Sequence, residues 1–369
     1  MSGPRVAIVH ERFTEFGGSE AVVGELAETW AHTEVFAPIV DPAGVRPPLT
    51  TVHDTWLSRA YAATGRRSHA PLLPFAPRAL RRLPLARRFD AVVISHHAFA
   101  IQAALATDAP VLAYVHSPAR WAWDREFRAR EAGGPAGQLA LAALGSLARH
   151  AELRAAPQLS QIVANSRAVA ARVRDWWGLP ATVVYPPVQI DNFTPDAAIP
   201  REDFFLFAGR LVPYKRPDLA IRAAQRAGCR LVVLGDGRFR AQLESLAGPE
   251  TTFLGATAHE VLVDAYRRCR ALLMPGVEDF GIVPVEAMAC GTPVLAVDRG
   301  GALDTVRPGV TGAHVAHGDD EAVVANLAAA MRDCDPSDYR TELIRAHAQT
   351  FSPTAFRANM ADAVAGLLH

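Results

Sequence analysis

Glu278-Asp279-Phe280-Gly281-Ile282-Val283-Pro284-Val285-Glu286-Ala287-Met288-Ala289-Cys290-Gly291-Thr292-Pro293-Val294 is the stretch on which the fold turns. It lies between two wholly apolar runs, Ala271-Leu272-Leu273-Met274 and Val294-Leu295-Ala296-Val297. Short runs of this kind read as strands buried on both faces. Between them the pattern passes from loop to helix to glycine turn. Pro284 suits a first helical turn, where its missing N–H costs nothing, and Glu286 is expected in that same turn. A strand, a helix and a second strand in this order predict parallel pairing with helices over the sheet.

The alternation extends outward in both directions. Upstream are Phe204-Phe205-Leu206-Phe207-Ala208-Gly209, Leu231-Val232-Val233-Leu234 and Thr252-Phe253-Leu254. The first half repeats it with Arg5-Val6-Ala7-Ile8-Val9-His10, Val35-Phe36-Ala37, Ala91-Val92-Val93-Ile94, Val111-Leu112-Ala113-Tyr114-Val115, Ile162-Val163-Ala164 and Val183-Val184-Tyr185. Pro186-Pro187 opens an irregular stretch running past Pro195 and Pro200, and prolines cannot continue a central strand. The expected organisation is an α/β chain of two Rossmann-like, doubly wound domains, 1–188 and 203–352, with a linker at 189–202. A length of 369 residues agrees, at roughly 100–200 residues per domain. The last segment, 353–369, reads as an amphipathic helix with no strand after it.

Open parallel sheets bind ligands beyond the carboxyl ends of their strands. Two such domains facing one cleft would surround it with strand-end loops. In the opening stretch, the free amides near Gly281, Ile282 and Val283 would form an anion seat at a helix N-terminus, with Phe280 beside them among the donor-binding positions. Glu278 and Glu286 flank that seat and can accept hydrogen bonds from sugar and ribose hydroxyls. Gly209-Arg210-Leu211-Val212-Pro213-Tyr214-Lys215-Arg216 ends another strand. Arg210, a planar fork, and Lys215, a point charge, would face a diphosphate and stabilise it as a leaving group. Gly17-Gly18, after the first strand, either lets amides approach a phosphate or makes a tight turn. His116 ends the 111–115 strand, where a neutral imidazole can bond a transferring sugar or serve the core. Trp121 and Trp123, with Asp124, either meet an acceptor or pack a helix.

Composition narrows the classes. Lys plus Arg and Asp plus Glu both total 38, so no global charge points to nucleic acid. Half the residues are apolar and 21% charged, the balance of a soluble globular protein. Between Asp54 and Asp90 there is no acid, while Arg59, Arg66, Arg67, Arg78, Arg81, Arg82, Arg87 and Arg88 fall there among leucines. This 59–88 stretch is either a basic, apolar lip for a membrane surface or anionic acceptor, or a solvated pair of Arg-rich helices. Cys229, Cys269, Cys290 and Cys334 fit no zinc spacing and are expected as reduced thiols. Asp333-Cys334-Asp335 has the letters of a metal-binding Asp-x-Asp but falls where a helix gives way to a loop. No apolar run reaches the ~18 residues of a membrane span and no signal-peptide pattern is seen. A cytoplasmic location is expected, with peripheral attachment to the cytoplasmic face as an option.

Together these stretches resemble glycosyltransferase family 4. The resemblance rests on Gly209 to Arg216, Gly235-Asp236-Gly237, Phe253-Leu254-Gly255 and the two acids Glu278 and Glu286. In the first half, Gly17-Gly18-Ser19-Glu20, His116-Ser117-Pro118, Trp121-Ala122-Trp123-Asp124 and Val163-Ala164-Asn165-Ser166 are similar to the bacterial mannosyltransferase-type branch. The resemblance implies a GT-B fold, a nucleotide-sugar donor (GDP-mannose, with UDP- or dTDP-sugars behind it), a hydroxyl acceptor, retention of anomeric configuration, and no cofactor or essential metal. It places Glu286 on the ribose, Glu278 on the donor sugar, Arg210 and Lys215 on the diphosphate, His116 near the reaction centre, and the last helix back on the first domain. Asp304 stands where a glutamate is common, which puts one local contact in doubt. The rival expectations are a GT-B epimerase or hydrolase, which would consume the donor alone, and a non-catalytic sugar-nucleotide-binding protein.

Overall fold

Short runs of Val, Ile, Leu and Ala form the strands, and the helices between them cover both faces of two all-parallel sheets. The computed structural model describes residues 3–125, 127–128 and 134–369. It divides into two units, Met1–Pro187 with Pro353–His369, and Val188–Ser352.

The sheet of the first unit contains β1 (Arg5–His10), β2 (His32–Phe36), β3 (Ala91–His96), β4 (Val111–Val115), β5 (Gln161–Ala164) and β6 (Thr182–Val183), in the order β2-β1-β3-β4-β5-β6. Its register positions the polar residues that follow each apolar run. His10 pairs with Ser95, Ser95 pairs with Tyr114, and His116 is two residues past that partner, so three strand ends bring their polar residues together. One face buries Ala7, Val9, Val92 and Ile94 against Leu80 and Phe99. The other buries Val6, Ile8, Val93 and Tyr114 against Val22 and Leu26, and against Phe356, Met360 and Val364 of the last helix, Pro353–Ala365. Each of those three side chains contributes roughly 1.5–3 kcal/mol by leaving water. The last helix therefore completes the first unit's core, as the resemblance implies.

The second unit holds β7 (Phe205–Ala208), β8 (Leu231–Leu234), β9 (Thr251–Gly255), β10 (Leu272–Met274), β11 (Val294–Val297) and β12 (Gly312–Val315), in the order β12-β11-β10-β7-β8-β9. The edge strand β12, Gly-Ala-His-Val, has no apolar run to announce it. Residues 189–202, expected as a linker, belong instead to this unit. Val188 N–H donates to Phe351 O at 2.9 Å, Ile190 and Phe193 are buried, and Arg267 bonds the Thr194 carbonyl and hydroxyl. The segment lacks a repeating pattern because two isolated apolar side chains anchor it, rather than a regular face.

The Arg-rich 59–88 stretch forms short helices, Trp56–Ala63 and Ala76–Leu80 among them. Leu80, Leu83 and Leu85 turn inward, so most of the expected apolar lip is core. Arg59, Arg67, Arg78 and Arg82 are exposed, as are Trp56 and Phe75, whose rings lie 6.0 Å apart. Among the described residues no helix is long and apolar enough to cross a membrane.

Candidate functional site

In the second unit the expected residues gather at the carboxyl ends of β7 and β10. Gly281 adopts φ +94°, and a Cβ there would lie 2.9 Å from Met274 Cε, so this position requires glycine. The chain reverses at Gly281 and helix Ile282–Ala289 begins at once. Pro284 is its third residue. Glu286 is the fifth, one turn deeper than expected, because the helix starts at Ile282. The Ile282 and Val283 amides belong to the first turn, whose N–H groups have no partner within the helix.

Lys215 Nζ donates to Glu278 Oε1 at 2.5 Å, joining the loop after β7 to the loop after β10. The approach is close because Gly276 has no side chain; a Cβ there would be 2.6 Å from Lys215 O. Burial works against the ammonium, but the charge and hydrogen bond of Glu278 outweigh it and raise the Lys215 pKa. Lys215 therefore stays cationic. Arg210 is exposed and has no carboxylate partner among the described residues. Glu286 accepts a hydrogen bond from Tyr266 O–H at 3.2 Å, and burial pushes its pKa upward. The Phe280 ring is buried, edge-on to Phe351 at 5.5 Å, so the side chain anchors the loop and the donor contact expected at this position falls to its backbone.

In the first unit, His116 Nε2 lies 2.8 Å from Ser95 Oγ, which lies 3.0 Å from His10 Nδ1. His10 Nε2 reaches Glu20 Oε1 at 3.3 Å. Glu20 Oε2 accepts from the Gly17 N–H at 3.0 Å and the Ser19 hydroxyl at 2.9 Å. The Gly17 amide expected for a phosphate is thus engaged by the chain's own carboxylate, while Gly18 is the first residue of helix Gly18–Thr29. Burial opposes ionisation of Glu20, yet the bonds and charge of His10 and the Ser19 hydroxyl prevail and its pKa falls to about 2. Glu11, also buried, accepts the N–H groups of Ala98, Phe99 and Ala100.

Trp123 takes the packing alternative. Its indole N–H donates to Glu152, and its ring stacks on Trp176 with centroids 5.8 Å apart, so it packs the unit rather than presenting a face to an acceptor. Trp121 is half-buried against the core, 6.3 Å from Phe99. Asp124 accepts the Phe127 N–H. Sequence pattern does not mark Glu11, Ser95 and Glu152, and by itself assigns no role to His10, Glu20, His96 or His97. A signal existed for the strand ends, since His10, Ser95-His96-His97 and His116 each follow an apolar run.

Burial, followed by the nearby His10 charge, depresses the His116 pKa to about 3. Below its ordinary 6.5 the unfolded chain takes up a proton that the folded chain refuses. Stability is therefore full above pH 6.5 and declines as pH falls from there toward 3. Glu20 acts in the same direction below pH 4.5. At pH 5 the His116 contribution is about 2 kcal/mol at most. Urea unfolding of the wild type is expected to show this loss between pH 7 and 5, and His116→Asn to lessen it. Equal pH slopes for the two proteins would remove the claim.

A model of glycosyl transferases group 1 matches residues 189–349, and a model of glycosyltransferase family 4 matches 16–192. D-inositol 3-phosphate glycosyltransferase of Mycobacterium sp. (strain KMS) is 38% identical over 191 residues, covering 46% of this chain and 43% of the relative. Its counterpart from Mycolicibacterium smegmatis is 37% identical over 176 residues, 42% of this chain and 40% of the relative. The matched part thus spans less than half the length of these curated relatives. Among solved structures, Anabaena HepE in complex with UDP and glucose aligns with a TM-score of 0.68 at 18% identity, over 98% of this chain and all of the other. Sucrose-phosphate synthase from Thermosynechococcus elongatus aligns at 0.72 and 18% identity, over 98% and 99%. These likenesses concern the fold. With one family model on each half of the chain and two parallel sheets of matching architecture, the protein belongs to glycosyltransferase family 4 and has the GT-B fold.

Proposed function

We propose that the protein moves a hexosyl residue from a nucleotide-diphosphate sugar to a hydroxyl acceptor, retaining anomeric configuration and requiring no metal. The observation that carries this reading is the Lys215–Glu278 pair, which brings a cation and a carboxylate to the mouth of the 282–289 helix. Lys215, Arg210 and the amides of Gly281, Ile282 and Val283 hold the diphosphate. Glu286, kept in place by Tyr266, takes the ribose hydroxyls; Glu278 takes the donor sugar; His116 is assigned to the transferring sugar. In the reaction, the acceptor oxygen bonds to the anomeric carbon as the bond from that carbon to the phosphate oxygen breaks on the same face. The acceptor proton passes to the departing phosphate. Fixed cations stabilise the growing charge there, which is why no metal is needed.

The finer donor reading, GDP-mannose, rests on the mannosyltransferase-like motifs at Gly17–Glu20, His116–Pro118 and Trp121–Asp124. A second reading, a UDP-sugar, is favoured by the matched structure solved with UDP and glucose. Exposed Trp56 and Phe75 among Arg59, Arg78 and Arg82 support an anionic or membrane-borne acceptor. Thermal-shift measurement with GDP-mannose, UDP-glucose and a dTDP-sugar, all in EDTA, tests the donor. Binding stabilises by RT ln(1 + [L]/Kd), about 2.7 kcal/mol at a hundredfold excess over Kd. One donor is expected to raise Tm despite the chelator, and no response to any would refute the reading. Donor turnover without acceptor would instead indicate the hydrolase or epimerase, and binding without turnover on any acceptor, an inositol phosphate included, the non-catalytic protein.

A further inference from the structure

The chain of hydrogen bonds from Glu20 to His116 has a direction, and the direction follows from counting protons. Glu20 Oε2 is occupied by two donors, the Gly17 N–H and the Ser19 hydroxyl. Its other oxygen faces His10 Nε2. A carboxylate only accepts, so Nε2 of His10 carries the hydrogen; in the neutral form of that ring, which the relay requires, Nδ1 is the acceptor. The partner of that Nδ1 is Ser95 Oγ at 3.0 Å. Ser95 has one proton and directs it to His10. Its oxygen must then accept from His116 Nε2 at 2.8 Å. This leaves the proton of His116 on Nε2 and a bare lone pair on Nδ1, which has no hydrogen-bond partner among the described residues.

We propose that Glu20, His10 and Ser95 are positioning residues that set His116 in its Nε2-protonated tautomer, so that Nδ1 meets a free hydroxyl of the transferring sugar as an acceptor. The sugar contact rests on the transferase reading; the relay does not. Parallel register is what makes it possible, because β1, β3 and β4 are adjacent strands and each contributes one member at its carboxyl end. Burial supports the arrangement by keeping His116 neutral. A lone pair at this point attracts an O–H and repels phosphate oxygens, so it discriminates the sugar from the diphosphate it leaves.

The test is the tautomer itself, read by 15N NMR of the full chain labelled at histidine, with the His116 signals identified by their loss in His116→Gln. The wild type is expected to show Nε2 protonated and Nδ1 bare. In Glu20→Gln, the side-chain oxygen must stay with the Gly17 N–H and Ser19, because an NH2 there would oppose a donor. The NH2 group then faces His10, and every bond in the chain reverses. His116 is expected to change to the Nδ1-protonated form, and turnover to fall about tenfold, the loss of one well-placed hydrogen bond. Ser95→Ala is the second variant, should the first fail to fold: with the chain cut, His116 is expected to show both tautomers. An Nδ1-protonated wild type, or a His116 tautomer unmoved by both variants, would overturn the relay. A tautomer that responds as expected, in a protein that binds no nucleotide sugar, would support the relay and defeat the donor reading separately.

Discussion

Lys215→Ala is expected to lower kcat by about 10²–10³-fold, the usual cost of removing one group aimed at charge that develops in the transition state. The diphosphate is already charged when it binds, so some binding is lost as well. Its leaving oxygen gains charge only as the glycosidic bond breaks, so most of the loss falls on kcat. The structure sharpens this expectation. Lys215 is the partner of Glu278 at 2.5 Å, so the alanine variant both removes a cation and leaves a carboxylate uncompensated near the proposed phosphate seat. Lys215→Arg keeps the charge but replaces a point donor with a planar fork, and is expected to recover only part of the rate. Arg222→Ala, which breaks a surface pair with the exposed Glu321, serves as the control and should be neutral. Steady-state kinetics of the three variants decide the matter. Lys215→Ala turning over within threefold of the wild type would end the assignment of Lys215 to the leaving group.

The second large effect concerns stability. Glu152, on helix Gly134–Ala155, is fully buried and accepts from four donors: the Ala119 N–H at 2.9 Å, His96 Nε2 at 3.0 Å, and the indoles of Trp123 and Trp177 at 2.5 and 3.3 Å. The Ile101 N–H donates to His96 Nδ1, so the proton of that ring must be on Nε2, facing Glu152. One carboxylate thus fastens the end of β3, the start of helix Arg120–Trp123 and the end of helix Arg167–Trp177. Glu152→Ala removes the acceptor and strands all four donors away from water. The expected cost is about 3–5 kcal/mol, which for a unit of this size lowers Tm by roughly 2–4 °C per kcal/mol. Leu139→Ala, at an exposed position of the same helix, should change almost nothing. Urea melts compare the two, and a loss under 1 kcal/mol for Glu152→Ala would show that the donors find other partners.

The residues at the carboxyl ends of β7 and β10 were legible as strand-end loops because their signals are contiguous. Gly209 to Arg216 and Glu278 to Glu286 are each a strand end followed by a turn, and glycine, proline and charge at set places can be read along the chain. Sequence leaves the side chains of Phe280 and Trp123 undecided for a common reason. An aromatic ring beside functional residues looks the same in sequence whether it meets a ligand or a neighbouring ring, and only packing on Phe351 and Trp176 distinguishes the two. Gly17 was half-read: its glycine allows the tight approach, but its amide is taken by Glu20, three residues on. Glu152 offered no signal at all, since it lies in a long helix among alanines and leucines, where a glutamate ordinarily faces solvent.

Local order was therefore enough for the class of fold. Apolar runs, helical stretches and glycine turns are short-range features, and their alternation leaves little choice but parallel sheets covered by helices. What tertiary structure decided is which polar groups meet. Lys215 and Glu278 are 63 residues apart, His96 and Glu152 are 56, and His10 and Ser95 are 85. No local pattern carries such pairings, because they arise only when strands distant in sequence lie side by side in one register and the burial of their neighbours makes each unpartnered polar group costly.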